Sequence, residues 1–84
     1  MTVQPTADRE LDCRGTLCPM PVIRLRQAID EMEPGMVIRV LATDPASVND
    51  MPAFARNTGH ELLSSGRVDG VFEYYFRKSA NEAS

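Results

Sequence analysis

The sequence predicts an α/β fold, an α+β two-layer sandwich in the order β-α-β-α-β-β, with a mixed four-stranded sheet and two helices on one face. Three observations lead there. A short alternating stretch at Arg9–Cys13 ends in a turn and gives way to apolar residues at helical spacing. A brief apolar run, Met36 to Ala42, follows a Pro-Gly pair. Near the C-terminus, Asp69-Gly70 separates two stretches as a hairpin turn would.

Each element has its own signal. In the first strand Leu11 and Cys13 alternate with charged neighbours, and Arg14-Gly15-Thr16 follows as a turn. From Pro19 onward Val22, Leu25, Ile29 and Met32 fall at steps of three and four, with Ile23 and Ala28 widening the stripe. Pro34-Gly35 stops this helix, because proline disfavours helix at the residue before it. Met36 to Ala42 is rich in β-branched and apolar residues and reads as a central strand buried on both faces apart from Arg39. Thr43-Asp44-Pro45 predicts a second helix from Pro45, capped by Asp44, with a kink or break at Asp50 to Pro52. Gly59 suits the left-handed residue that follows a helix. Glu61 to Ser64 and Val71 to Lys78 then form the hairpin. The helical crossover between strands one and two makes them parallel and right-handed.

A chain of 84 residues holds one small domain, expected at 9–78, with residues 1–8 and 79–84 as flexible tails. Twelve acidic residues against nine basic ones leave a net charge of −3, with no basic excess to neutralise a phosphate backbone. Direct binding of nucleic acid is therefore not expected. The polar start carries no secretory pattern and no run reaches a membrane span, so a soluble cytoplasmic protein without membrane contact is expected. Two cysteines and one histidine cannot build a closed four-ligand zinc site from one copy, so no metal and no cofactor is expected.

Chemistry therefore rests on the thiols. Cys18 stands between a short loop and the start of the first helix, where unpaired amides and aligned peptide dipoles stabilise negative charge. Thiols so placed fall from a pKa of about 8.5 to between about 3.5 and 7.5. Pro19 and Pro21 stiffen that first turn and leave the amides of Met20 and Val22 as donors, and Arg14 and Arg24 are nearby cations in sequence. Gly15 supplies a backbone angle other residues resist, and Asp12 either orients the loop or closes the strand-end turn. A cysteine hydrolase needs a base, and the sole histidine, His60, lies far along the chain at a strand start. A nucleophilic thiol without a base suits carriage of a group.

Several segments in register, Leu11-Asp12, Gly15, Cys18-Pro19-Met20-Pro21, Pro34-Gly35, Asp44-Pro45-Ala46, Asp50-Met51-Pro52-Ala53-Phe54, Gly59-His60-Glu61-Leu62 and Tyr74 to Lys78, carry a family resemblance. Over nearly all of residues 10–78 the chain resembles the TusA (SirA-like) family of small sulfur-carrier proteins. The resemblance implies a two-layer sandwich similar to the C-terminal domain of bacterial initiation factor three, and a persulfide on the cysteine of Cys-Pro-x-Pro, here Cys18. It also implies two protein partners: a sulfur donor, either a cysteine desulfurase or a rhodanese-like protein, and a sulfur acceptor. The destination would be transfer-RNA thiolation, cofactor biosynthesis or sulfur oxidation. Cys13 is either a resolving thiol for Cys18 or a small buried core residue. Two other classes stay open: a non-catalytic regulatory or interaction domain, and a dithiol redox protein using Cys13 and Cys18.

Overall fold

The structure, a computed structural model, describes residues 7–15 and 20–79. Six elements follow in the expected order: β1 (Arg9–Cys13), α1 (Met20–Asp30), β2 (Val37–Ala42), α2 (Ser47–Thr58), β3 (Glu61–Val68) and β4 (Val71–Arg77). The strands form one mixed sheet ordered β1-β2-β4-β3. β1 runs parallel to β2, while β4 is antiparallel to both β2 and β3.

Register divides the sheet into two faces, since successive side chains alternate. Leu11 pairs with Val40 and Val40 with Tyr74, so Leu11, Cys13, Ile38, Val40, Phe72, Tyr74 and Phe76 share one face. Against it α1 lays Leu25, Ala28 and Ile29, and α2 lays Met51 and Phe54, giving one continuous core. The Phe54 and Phe76 rings meet edge to face at 5.7 Å. On the opposite face charges alternate across strands. Arg39 donates through Nε to Glu73 at 2.8 Å and also pairs with Glu10, and Arg77 pairs with Glu61.

The last turn of α1 tightens, with Met32 N–H donating to Ile29 O at 2.9 Å. The buried Lys78 ammonium reaches Met32 O at 2.6 Å and satisfies a carbonyl at the helix end. Lys78 N–H donates to Met36 O, and Gly35 N–H to Lys78 O, both at 2.9 Å. The end of β4 is thereby tied to the start of β2.

Five expectations need correction. β2 is buried on one face only: Ile38, Val40 and Ala42 are fully buried, whereas Val37, Arg39 and Leu41 are half-buried because, among the described residues, no helix packs on the second face. α2 begins at Ser47, not Pro45. Asp44 accepts from Ala46 N–H at 3.1 Å through its carboxylate and from Ser47 N–H at 3.0 Å through its carbonyl, so it closes a separate turn ahead of the helix. Pro52 does not interrupt α2. It sits in the second turn, where its missing N–H deprives only Val48 O of its helical partner, and Val48 is itself 50% exposed. β3 extends four residues beyond Ser64, to Val68. Asp69 (φ 52°) and Gly70 (φ 80°) are both left-handed, the two-residue hairpin turn that obliges pairing to resume at once with Val68 opposite Val71. Finally, Ile23 is 42% exposed and does not widen the buried stripe of α1.

Candidate functional site

The parallel pairing of β1 with β2 brings two loops to one end of the sheet. Cys13 lies opposite Ala42, Ala42 opposite Phe72, and Phe72 opposite Arg67, so this row marks the end at which β1 and β2 both exit. β1 feeds α1, whose first turn contains no acidic residue to offset its positive dipole end.

The β1 exit is held by polar bonds. The Asp12 carboxylate accepts from Arg14 N–H at 3.0 Å, Arg14 Nε at 2.9 Å and Arg14 Nη2 at 2.8 Å. The Arg14 side chain first, and then its backbone amide, hold the Asp12 carboxyl down at a pKa of about 2. The Arg14 charge is thus directed at Asp12. Gly15 follows with φ 82°, and its N–H donates to Thr43 Oγ1 at 2.9 Å, joining the β1 exit to the β2 exit.

Cys13 is fully buried within the core. Burial pushes its thiol pKa up; the nearby Arg24 charge opposes this and Asp12 adds to it. A neutral buried thiol is a weak nucleophile. Among the sequence-predicted site residues, Asp12, Cys13 and Gly15 come together at the β1 exit. Met20 and Pro21 open α1. Cys18 and Pro19 lie outside the described residues, as do residues 1–6 and 80–84 of the expected tails.

His60 is remote from this end. It precedes Glu61, which pairs with Arg77 and through it with Val37, at the other end of β2. Five steps at ~3.3 Å put roughly 17 Å between the two rows. His60 Nδ1 instead accepts from Ser79 N–H at 3.0 Å, and its ring lies 6.0 Å from that of Phe54. Among the described residues no group of three or more His, Cys, Asp or Glu side chains could hold a metal ion, and no helix is long and apolar enough to cross a membrane.

Thr43 is the site residue that sequence reasoning missed. Its signal was present: it follows directly on a strand parallel to β1, and once Cys13 pairs with Ala42 the residue after each strand is a neighbour.

Known proteins share both the sequence and the sandwich. The family model for Sulfurtransferase TusA matches residues 9–78. The Sulfur carrier protein TusA of Allochromatium vinosum is 44% identical over 72 residues, spanning 86% of this chain and 95% of that protein. The Sulfur carrier protein TusA of Pseudomonas syringae pv. syringae is 40% identical over 76 residues, 90% of each chain. The crystal structure of a SirA-like protein from Desulfitobacterium hafniense superposes with a TM-score of 0.75 at 29% identity, covering 84% of this chain and 97% of that one. With the family model matching residues 9–78, from the start of β1 to just past the end of β4, the chain belongs to the sulfurtransferase TusA family.

Proposed function

We propose that this protein is a sulfur carrier in which Cys18 accepts sulfane sulfur as a persulfide and relays it to an acceptor protein. The observation that carries this reading is family membership through residues 9–78, a stretch that contains Cys18 two residues ahead of the first residue of α1. In the loading step the Cys18 thiolate attacks the outer sulfur of a donor persulfide. A new S–S bond forms on Cys18, the donor's S–S bond breaks, and the donor cysteine leaves as its thiolate. In the second step an acceptor thiolate attacks the outer sulfur of Cys18 persulfide and Cys18 departs as thiolate. Sulfur keeps its oxidation level throughout, so no external oxidant or reductant is needed.

No base is required for this exchange, which agrees with the distance of His60 from the β1 exit. Little independent turnover is expected from such a carrier. Donor and acceptor are proteins, the donor a cysteine desulfurase or rhodanese-like enzyme, and specificity lies in docking. The burial of Cys13 and its raised pKa speak against a dithiol cycle.

The test is intact mass with peptide mapping after incubation with a desulfurase plus cysteine, or with a rhodanese persulfide. One added sulfur on Cys18, removed by dithiothreitol, absent in Cys18→Ser and retained in Cys13→Ala, is the expected result. An unmodified Cys18 under every donor overturns the proposal, and a Cys13–Cys18 disulfide replaces it with the redox reading.

A further inference from the structure

We infer that the outer edge of β3, from Ser65 to Arg67, docks an extended segment of a partner protein as an added antiparallel strand. That segment sets a carboxylate against Arg67 and an apolar side chain in the groove beside Val48. The site is separate from the thiol chemistry and does not depend on the carrier reading.

β3 lies at one edge of the sheet, with β4 on its inner side. The hairpin turn decides which of its amides face outward. Around a two-residue turn of left-handed residues the flanking pair, here Val68 and Val71, exchanges both backbone hydrogen bonds. Pairs then alternate along the ladder, so Arg67 opposite Phe72 and Ser65 opposite Tyr74 keep their N–H and C=O groups toward the open edge. Among the described residues no strand takes them. Natural edges are blunted by charge, proline or a bulge. The other edge strand, β1, carries Arg9, Glu10 and Asp12, and on β3 a register shift between Leu62 and Ser64 disturbs the lower half. Beyond that shift Ser64-Ser65-Gly66 is exposed, has neither charge nor proline, and leaves open space where a side chain of Gly66 would stand.

Two features identify the occupant. A groove of about 260 Å³ runs beside this edge, floored by Val48, Pro52, Phe72 and Tyr74, and it has room for an apolar side chain. The Arg67 guanidinium lies over the Phe72 ring, 5.6 Å from its centroid, and among the described residues no carboxylate pairs with it. The ring holds the cation in place without neutralising it. Residues directly opposite in an antiparallel pair share a face, so the incoming residues across from Arg67 and Ser65 both stand on the groove side. Opposed chain direction gives the order acid, any residue, apolar residue. In such strand addition main-chain bonds supply affinity and alternate side chains supply specificity. Arg67, Phe72, Ala42 and Cys13 form one row across the sheet, so the added strand lies at the end where β1 and β2 exit.

The probe is the peptide acetyl-Thr-Thr-Glu-Thr-Val-Thr-Thr-amide, titrated to millimolar concentration into the isotope-labelled 84-residue chain and followed by amide chemical shifts and hydrogen exchange. The expected result is a set of shifts confined to Ser64–Val68, Val48 and Phe72, with slowed exchange at the Ser65 and Arg67 amides. Changing the peptide's glutamate to lysine, or Arg67→Glu in the protein, should weaken binding about two- to five-fold, as one cross-strand charge pair implies. Arg67→Glu with the lysine peptide should regain it. Ser65→Pro removes an outward donor without taking a bond from β4 and should abolish binding, with unchanged shifts along β4 reporting an intact hairpin. If the proline variant does not fold, the charge swap decides. No shifts at the β3 edge, shifts centred on another surface, or equal binding of the two peptides overturn the inference. A peptide-free protein that sediments as a dimer with the Ser65 and Arg67 amides already protected overturns it too, because a second copy would then be the occupant. Failure of Cys18 to take sulfur from any donor would sink the carrier reading and leave each of these outcomes as it stands.

Discussion

Ser47 Oγ and Tyr74 OH lie 2.8 Å apart inside the core and join the start of α2 to the middle of β4. Both residues are almost wholly buried, at 2% and 3% exposure, so each hydroxyl depends on the other for its partner. Removing one should cost more than removing both. Ser47→Ala takes the phenol's hydrogen-bond partner away in an apolar setting and should destabilise by about 1–3 kcal/mol. The double variant Ser47→Ala/Tyr74→Phe should regain part of that loss. Chemical denaturation of the three variants measures the coupling, and strict additivity would show that the bond contributes nothing specific.

The Asp12–Arg14 contact makes the β1 exit sensitive to acid. Its folded pKa of about 2 lies below the ordinary value of 3.8, so its contribution to stability is present above pH 3.8 and is lost as pH falls toward 2. Carbon-detected titration should place the Asp12 midpoint near 2. Asp12→Asn should flatten the acid limb of the stability curve in that window, and a midpoint near 3.8 would contradict the bidentate geometry.

For Cys13 the sign is the opposite. A thiol whose pKa is raised on folding contributes stability in full below the unfolded value, ~8.5, and loses it as pH climbs toward the higher folded value. Stability should therefore fall above about pH 8.5 in the wild type, and less steeply in Cys13→Ala. In labelling experiments Cys13 should resist iodoacetamide until denaturant opens the sheet. Native-state labelling of Cys13 at neutral pH would refute the burial argument.

Gly59 ends α2 at φ 83°, with its N–H donating to Ala55 O at 2.9 Å. A side chain added there would meet open space, so the cost of Gly59→Ala is conformational alone, about 1 kcal/mol. Thermal melts should show a drop of several degrees for this small domain.

What the chain revealed on its face, and what it concealed, follows from how each element is stabilised. β1, α1 and the order of elements were legible because Leu11, Cys13, Leu25 and Ile29 carry the period of the face they bury. The outer half of β3 was not. Ser64, Ser65, Gly66 and Arg67 are exposed at a sheet edge, have no apolar face to advertise, and are strand only because β4 supplies the ladder beyond a two-residue turn. The break expected at Pro52 does not occur because its missing N–H removes a single helical bond, to Val48 O, while the rest of α2 continues through it. Asp12, Gly15 and Cys13 were legible at the site by position, whereas Thr43 became visible only through the β1–β2 register, a relation between distant segments that no local pattern records.

The ties at the other end of the sheet bear on how the protein can be handled. Asp8 N–H donates to Val37 O at 2.8 Å, and Lys78 N–H donates to Met36 O at 2.9 Å, so the chain enters and leaves the fold beside the start of β2. The β1 exit lies at the opposite end of that strand. A tag, fluorescent label or further domain joined just before residue 8 or just after residue 79 therefore begins on the side away from Gly15 and Thr43.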